Sequence, residues 1–165
     1  MVVASMIVAI VQARMGSTRL PGKSLADVCG HPMLWHVVNR VRGAKLVEKV
    51  VVATSSAMAD DAIAAVCDHE RIPCFRGDEH DVLDRFYKAA KFYGGDVLVR
   101  ITADCPLIDP AVIDKVVARF QEGDYDYVSN AIRYTYPDGL DTEVFSFHAL
   151  AVSYTHLTLP TTERV

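Results

Sequence analysis

The amino-acid sequence predicts an α/β protein with a doubly wound, mostly parallel sheet. Apolar runs rich in β-branched residues, such as 6–11 and 49–54, alternate with stretches of about a dozen residues that have an apolar helical period, such as 31–42. Strands that are apolar at every position are typical of a sheet covered by helices on both faces. Regular alternation of such strands with helices indicates βαβ units, which build parallel sheets.

Several helix ends are marked by residues that favour them. Asp81 and Asp109 are predicted N-caps, because an aspartate oxygen can accept a hydrogen bond from a free amide of the first turn, and Pro110 suits the first helical position. Gly43 and Gly94 are expected to end the helices before them. The predicted strands cover 6–11, 49–54, 72–76, 96–102, 125–130 and 143–147, and the predicted helices cover 31–42, 60–70, 81–93 and 109–122.

Length and composition limit the possible functions. The chain has 165 residues, 51% of them hydrophobic, which is typical of one well-packed domain, here assigned to residues 1–151. Its net charge of −4 argues against a nucleic-acid partner. No apolar run approaches the roughly 20 residues of a membrane span, and the apolar start, in which Met6 is an alternative to Met1, lacks the basic residues of a signal peptide. The four cysteines form no C-x-x-C pair, so we expect no disulfide framework and a cytoplasmic location.

A polar loop, residues 11–25, follows the first predicted strand. It carries three cations, Arg14, Arg19 and Lys23, and it contains glycine. Backbone amides and cations at the carboxyl end of a parallel strand are suited to binding a polyphosphate. An ordinary solvated basic loop is the alternative interpretation.

The loop does not fit the Walker A motif, G-x-x-x-x-G-K-[ST]. Five residues separate Gly16 from Gly22, whereas the motif has four, and Pro21 stands where a glycine would be needed. The nest of amides in a P-loop depends on that spacing. The sequence therefore excludes a P-loop nucleoside triphosphatase.

A second motif, ITADCPLIDP at residues 101–110, places a carboxylate near this loop. Asp104 comes two residues after a predicted buried strand, at the edge of the sheet where the loop also lies. A carboxylate beside a phosphate-binding loop indicates a bridging cation, and Mg²⁺ commonly takes one or two carboxylates together with phosphate oxygens and water. A turn-capping aspartate is the alternative interpretation.

The chain resembles the sugar-acid cytidylyltransferases over residues 6–150. This is the family of CMP-KDO synthetase and acylneuraminate cytidylyltransferase, and the resemblance is greatest to its SpsF branch. The matching strings are VQARMGSTRLPGKSL, FRGDEHDVLDRF, ITADCPLIDP and YPDGLDTEVF. The resemblance implies a Rossmann-like sheet of the nucleotide-diphospho-sugar transferase type. It also implies transfer of CMP from CTP to a sugar acid, Mg²⁺ as cofactor, and a homodimer for the full-length parent.

The resemblance further implies which residues form the site. Catalytic roles fall on Arg14, Lys23 and Asp104, and Asp104 is the Mg²⁺ ligand. Arg85 is interpreted instead as an ordinary ion-pairing residue of its helix. Where the CMP-KDO synthetases carry a glutamine before a Gly-Asp pair, this chain has Thr102-Ala103, so the contacts to the base lack a direct counterpart. The expected nucleotide contacts are Gln12, Ala13, Arg14, Gly16, Ser17, Lys23, Ser55, Arg76 and Thr102, and the expected acceptor contacts are Asp138, Asp141 and Glu143.

Two other function classes stay open. A glycosyltransferase of similar sheet topology would use a nucleotide-sugar, and its usual mark is a D-x-D metal motif at a strand end. Asp124-Tyr125-Asp126 has that form but precedes a predicted strand. A non-catalytic nucleotide-binding module is the second alternative.

The composition changes abruptly at residues 152–165, VSYTHLTLPTTERV. The segment resembles the translation of a sequencing-library adapter, and we interpret it as read-through that replaces the family's C-terminal part. A genuine polar tail is the alternative. We expect the segment to be poorly ordered or weakly packed. We also expect the chain to be a poor enzyme, because the resemblance places further metal and acceptor contacts in the replaced part.

Overall fold

The structure is a computed structural model and describes residues 5–17, 20–133 and 135–158. Short 3₁₀ turns cover Lys23–Leu25 and Met58–Asp60. The strands are β1 (Ile7–Gln12), β2 (Asp27–Val28), β3 (His31–Pro32), β4 (Lys49–Ser55), β5 (Cys74–Gly77), β6 (Val97–Thr102), β7 (Tyr127–Ser129) and β8 (Glu143–Ser146). The α-helices are α1 (Met33–Val41), α2 (Asp61–His69), α3 (Val82–Tyr93), α4 (Pro110–Gln121) and α5 (Phe147–Thr158).

Six strands form one sheet in the order β5-β4-β1-β6-β8-β7. The first four strands are parallel, whereas β8 runs antiparallel to both of its neighbours, β6 and β7. The predicted α/β class and mostly parallel sheet are therefore confirmed. Each predicted strand and helix is present, with ends within two residues of the predicted ones.

Helices cover both faces of this sheet, which explains why its central strand is apolar throughout. Ile7, Ala9 and Val11 of β1 belong to a buried cluster with residues of α1, α2 and α4. Val8 and Ile10 point to the other face and belong to a second buried cluster with α3 and α5. Alternate residues of one strand thus fill two cores, as a doubly wound sheet requires.

Both predicted aspartate caps are confirmed. The Asp81 carboxylate accepts a hydrogen bond from Asp84 N at 2.8 Å, at the start of α3. The Asp109 carboxylate accepts one from Ala111 N at 2.7 Å, at the start of α4. These bonds satisfy amides that the first helical turn leaves unpaired. Among the described residues, no helix has the length and apolar character that crossing a membrane requires.

A small hairpin, β2 with β3, was not predicted. It occupies the segment between the loop after β1 and helix α1, and its strands pair antiparallel. Cys29 and Gly30 form its turn with positive φ angles of 53° and 87°. Two-residue turns of this kind require positive φ at both positions, and the Cys-Gly pair is an uncommon sequence signal for one.

Helix α5 corrects the prediction for the start of the 152–165 segment. The helix continues to Thr158, so the expectation of poor order is wrong for residues 152–158. The alternative expectation, weak packing, agrees with the exposed side chains of Val152, Ser153, Thr155 and His156 but not with Tyr154. Tyr154 stacks on Tyr87 of α3 with 4.3 Å between ring centroids, and its hydroxyl donates to Asp84 Oδ1 at 2.9 Å. Tyrosine stacking thus supplies packing that a helical period of aliphatic residues would otherwise provide. Residues 159–165 lie outside the described residues, and the adapter interpretation stays a prediction.

Candidate active site

The loop after β1 begins where the winding of the sheet reverses. Strands β4 and β5 lie on one side of β1, and β6 lies on the other. The carboxyl ends of β1 and β6 are level, because Gln12 pairs with Thr102 and Ala103 N donates to Gln12 O at 3.0 Å. Ligands of open α/β sheets bind in the crevice at such a switch point.

A cleft of about 360 Å³ opens at this point, and we call it the basic cleft. It brings together most of the residues predicted to hold the nucleotide, and its charged side chains are four cations and one carboxylate. The predicted cation Arg19 lies outside the described residues. The basic cleft is lined by Gln12, Ala13, Arg14, Ser17, Lys23, Ser24, Val82, Arg85, Arg100, Thr102, Ala103 and Asp104.

A buried carboxylate anchors the loop that forms one wall of the basic cleft. Asp60, only 3% exposed, accepts hydrogen bonds from Met15 N at 2.7 Å, from Ser55 N at 3.2 Å and from the Ser55 hydroxyl. Burial by itself raises the pKa of Asp60, but these hydrogen bonds outweigh it and hold the pKa below its ordinary value. The charged carboxylate therefore fixes the loop to β4.

Lys23 and Asp104 form an ion pair across the basic cleft, between Lys23 Nζ and Asp104 Oδ2. Gly22 positions the lysine by adopting a φ of 74°, a conformation that glycine tolerates best. Burial raises the pKa of Asp104, but hydrogen bonds from Lys23 and Thr102 more than offset this, so the pKa lies below its ordinary value. Asp104 is thus a carboxylate held in its charged form.

Arg100 was not predicted as a site residue, although it is the single cation in the apolar strand VLVRIT. Its Nε donates to Gln12 Oε1 at 2.7 Å, and its Nη1 donates to Glu143 Oε1 at 2.6 Å. The ion pair explains where the predicted acceptor residue Glu143 lies. Its carboxylate holds Arg100 and does not line the cleft that contains the other predicted acceptor residues.

Arg85 corrects another interpretation from the sequence. Its side chain is only 3% exposed and lines the basic cleft, and among the described residues it forms no ion pair. The sequence did carry a signal for this. Arg85 lies three residues after Val82 and four before Ala89, on the apolar side of α3, where a surface ion-pairing residue is not expected.

A second cleft, of about 460 Å³, adjoins the basic cleft, and we call it the acidic cleft. It contains two of the three predicted acceptor residues, Asp138 and Asp141. Burial, followed by repulsion from Asp138 and Glu143, raises the pKa of Asp141. Thr102 and Asp104 line both clefts. The acidic cleft is lined by Thr102, Asp104, Cys105, Pro106, Leu107, Asp138, Gly139 and Asp141.

Three predicted nucleotide contacts do not line the basic cleft. Gly16 is exposed in the loop. Ser55 is 1% exposed and donates its hydroxyl to Asp60. Arg76 donates to Ser55 O at 3.0 Å and pairs with Asp61 at 2.6 Å. Ser55 and Arg76 are thus engaged in supporting the end of β4 and the start of α2, and we do not retain them as ligand contacts.

The D-x-D string lies away from both clefts. Asp124 and Asp126 are exposed and precede β7. Tyr127 of β7 is level with Phe145, which in turn pairs with Leu98 near the start of β6. The string therefore lies at the edge of the sheet opposite Asp104, which argues against the glycosyltransferase alternative.

Comparison with known proteins agrees with this geometry. The sequence model of the cytidylyltransferase family matches residues 8–157. The spore coat polysaccharide biosynthesis protein SpsF of Bacillus subtilis is 40% identical over 150 residues, which are 87% of this chain and 60% of that protein. The 3-deoxy-manno-octulosonate cytidylyltransferase of Geobacter sulfurreducens is 42% identical over 118 residues, which are 70% of this chain and 46% of that protein.

A solved structure supports the same assignment. The structure of a cytidylyltransferase from Leptospira borgpetersenii superposes with a TM-score of 0.87 at 33% identity, covering 92% of this chain and 64% of that one. The chain thus spans about half to two thirds of the length of the proteins that it matches. The motif resemblance, the sheet topology and these matches together show that the chain belongs to the cytidylyltransferase family.

Proposed function

We propose that the chain binds CTP in the basic cleft and transfers CMP to a sugar acid held in the acidic cleft. In this reaction an acceptor hydroxyl oxygen bonds to the α-phosphorus, the bond from that phosphorus to the bridging oxygen breaks, pyrophosphate leaves and the hydroxyl proton is released. One observation carries the proposal. Asp104 lies at the junction of a cleft lined by four cations and a cleft lined by carboxylates.

The residues of the basic cleft suit a triphosphate. Arg14 and Lys23 lie on the loop after β1 and line the basic cleft. Charged donors of this kind form strong hydrogen bonds with phosphate oxygens. The same cations stabilise the charge that develops on the leaving pyrophosphate. Thr102 and Gln12 at the strand ends offer uncharged polar groups for the nucleoside.

The donor chemistry of this junction fits Mg²⁺. Among the described residues no group of three or more acidic, histidine or cysteine side chains forms a closed metal site, and Asp104 is the carboxylate that lines the basic cleft. Mg²⁺ commonly binds through one or two carboxylates, substrate phosphates and water. Asp104 is therefore the residue that would hold it, and the bound ion would neutralise phosphate charge.

The names of the relatives support the choice of substrates. The Geobacter sulfurreducens relative is a cytidylyltransferase of 3-deoxy-manno-octulosonate, a sugar acid, and SpsF is named for polysaccharide biosynthesis. We therefore propose a sugar acid as acceptor and a surface polysaccharide or glycan as the destination of the product.

The test combines binding with turnover. Calorimetry with CTP, UTP, ATP and GTP is expected to show a preference for CTP. Incubation with CTP, Mg²⁺ and a panel of sugar acids is expected to release pyrophosphate slowly, because this chain is expected to be a poor enzyme. CTP binding without pyrophosphate release from any acceptor would instead support a non-catalytic nucleotide-binding module. Transfer from a CMP-sugar to an alcohol acceptor would support a glycosyltransferase.

A further inference from the structure

Arg85 is the buried cation of the basic cleft, and the protein uses only part of its hydrogen-bonding capacity. Its aliphatic stem packs against Gly77, where an added Cβ would lie 3.0 Å from Arg85 Cγ. Its Nη1 donates to Asp78 O at 2.5 Å and to Glu79 O at 3.4 Å. The buried Nε has no hydrogen-bond partner among the described residues. The guanidinium is therefore held in place by two carbonyls of the loop between β5 and α3, with part of its donor capacity unused.

Burying the Arg85 guanidinium in this way has a cost in free energy. A buried cation without a carboxylate partner loses its hydration and gains no ion pair in return. Burial, the largest influence, lowers the pKa of Arg85, attraction from Asp60 opposes this, and repulsion from Arg14 lowers the pKa further. Two cations that repel each other across one cleft are both stabilised when a polyanion lies between them.

We propose that Arg85 is a phosphate-binding residue that holds the polyphosphate against the α3 side of the basic cleft, opposite Arg14 and Lys23. The proposal deepens the proposed function and rests on it for the identity of the nucleotide. An acceptor carboxylate is the competing anion, but Arg85 does not line the acidic cleft. Because Arg85 also binds the carbonyls of Asp78 and Glu79, a bound phosphate would tie the loop between β5 and α3 to the ligand.

Calorimetry with inorganic tripolyphosphate, CTP and cytidine tests this role. Arg85→Gln removes the charge, and we expect it to weaken tripolyphosphate and CTP binding roughly 10- to 100-fold, the loss of a charge-assisted hydrogen bond, without changing cytidine binding. Arg85→Lys keeps the positive charge and the aliphatic stem, so it should lose less affinity for tripolyphosphate and CTP than Arg85→Gln does. Arg119→Gln is the matched control, because Arg119 is an exposed arginine of α4 paired with Glu122 at 3.1 Å.

The outcomes separate this proposal from the proposed function. Unchanged tripolyphosphate binding by Arg85→Gln, or equal losses for tripolyphosphate and cytidine, would overturn the role of Arg85 even if CTP is the substrate. If tripolyphosphate binding depends on Arg85 but the chain does not prefer CTP over UTP, the phosphate-binding role of Arg85 is supported and the choice of CTP as the nucleotide is overturned. No tripolyphosphate binding by the unmodified chain would overturn both.

A second measurement uses the unmodified chain, in case the variants fold poorly. In ¹⁵N-labelled protein, the Nε–H resonance of Arg85 should move when tripolyphosphate is added and should stay in place when cytidine is added. A resonance that ignores tripolyphosphate would assign Arg85 a purely structural role.

Discussion

The two adjoining clefts differ in how far the protein itself satisfies their charged groups. Arg100 and Lys23 in the lining of the basic cleft, and Asp60 behind its wall, each have defined partners that fix their side chains. In the acidic cleft, neither Asp138 nor Asp141 accepts a hydrogen bond from a described residue. The basic cleft is thus built in advance, whereas the acidic cleft offers carboxylate oxygens that a ligand can complete.

Under the proposed function, the difference predicts how the nucleotide and the acceptor are recognised. Preorganised cations bind a polyanion without reorganisation and act on the charge that develops during reaction. Free carboxylates instead select ligands with several hydroxyl donors, because each unpaired oxygen that becomes buried needs a partner. The comparison predicts that substitutions in the basic cleft change nucleotide affinity strongly, whereas substitutions in the acidic cleft change acceptor affinity moderately.

Lys23→Ala should produce the largest effect and tests whether the basic cleft binds phosphates. Removing the ammonium deletes a phosphate contact and leaves Asp104 as an unpaired negative charge, so CTP binding should weaken roughly 100-fold. Cytidine binding, measured by the same calorimetry, should change little. Lys115→Ala, an exposed site on α4, is the control. Equal losses for CTP and cytidine would remove the loop after β1 from the phosphate site.

Asp60→Asn tests the support behind the basic cleft. Asparagine keeps one acceptor oxygen and replaces the other with an NH2 group, so either Met15 N or Ser55 N would face a donor. The free energy of unfolding should therefore fall by about 1–3 kcal/mol in urea titrations. The pKa of Asp60 in the folded protein lies below its ordinary value of 3.8. The contribution of the Asp60 carboxylate to the free energy of unfolding is therefore complete above its ordinary pKa. That contribution is lost as the pH falls towards the lower pKa of the folded protein.

The difference in stability between the parent chain and Asp60→Asn should accordingly narrow below about pH 4. CTP affinity should fall together with stability, since the loop loses its anchor at Met15. A variant of unchanged stability would show that the hydrogen bonds to Asp60 do not hold the loop.

Asp104→Asn tests the junction of the clefts. We expect the Mg²⁺ dependence of CTP binding to disappear, with roughly a 10-fold loss of affinity at saturating Mg²⁺, and the thermal midpoint to stay nearly constant. The matched control is Asp124→Asn, an exposed aspartate of the D-x-D string. A Mg²⁺ response that survives in Asp104→Asn and is lost in Asp124→Asn would reverse the assignment.

Asp141→Asn should give the smallest effect and applies to the acidic cleft. Loss of one carboxylate should raise the KM for the acceptor a few-fold while CTP affinity stays the same. The pKa of Asp141 is raised, so this carboxyl becomes protonated at a higher pH than an ordinary aspartate as the pH falls. The KM values of the variant and the parent for the acceptor should therefore converge at that higher pH. A change confined to CTP affinity would show that the two clefts are not separate substrate sites.

Local sequence patterns predicted most of the fold and the residues of the basic cleft that lie near strand ends. Gln12, Lys23 and Asp104 follow buried strands, and the topology of a parallel sheet necessarily brings such ends together. The supporting contacts could not be predicted in the same way, because they join distant parts of the chain. Arg100 lies 88 positions from Gln12, and Asp60 lies 45 positions from Met15.

Helix α5 shows another limit of local patterns. Its C-terminal half has two threonines and no apolar period, yet it is helical where Tyr154 stacks on Tyr87. Tertiary contacts of one aromatic residue can outweigh weak helix propensity over a short segment. Composition alone therefore gave the wrong expectation for the order of residues 152–158.

The ion pair between Lys23 and Asp104 also affects how the binding of a nucleotide and the binding of a divalent cation depend on each other. Lys23 and Asp104 neutralise each other's charge. A nucleotide that binds alone is therefore repelled by the charge of Asp104, and a divalent cation that binds alone must displace Lys23. When both ligands arrive together, Lys23 can turn to phosphate and Asp104 to the cation in a single exchange of partners. Nucleotide and cation should therefore bind cooperatively, each raising the affinity for the other by the same factor.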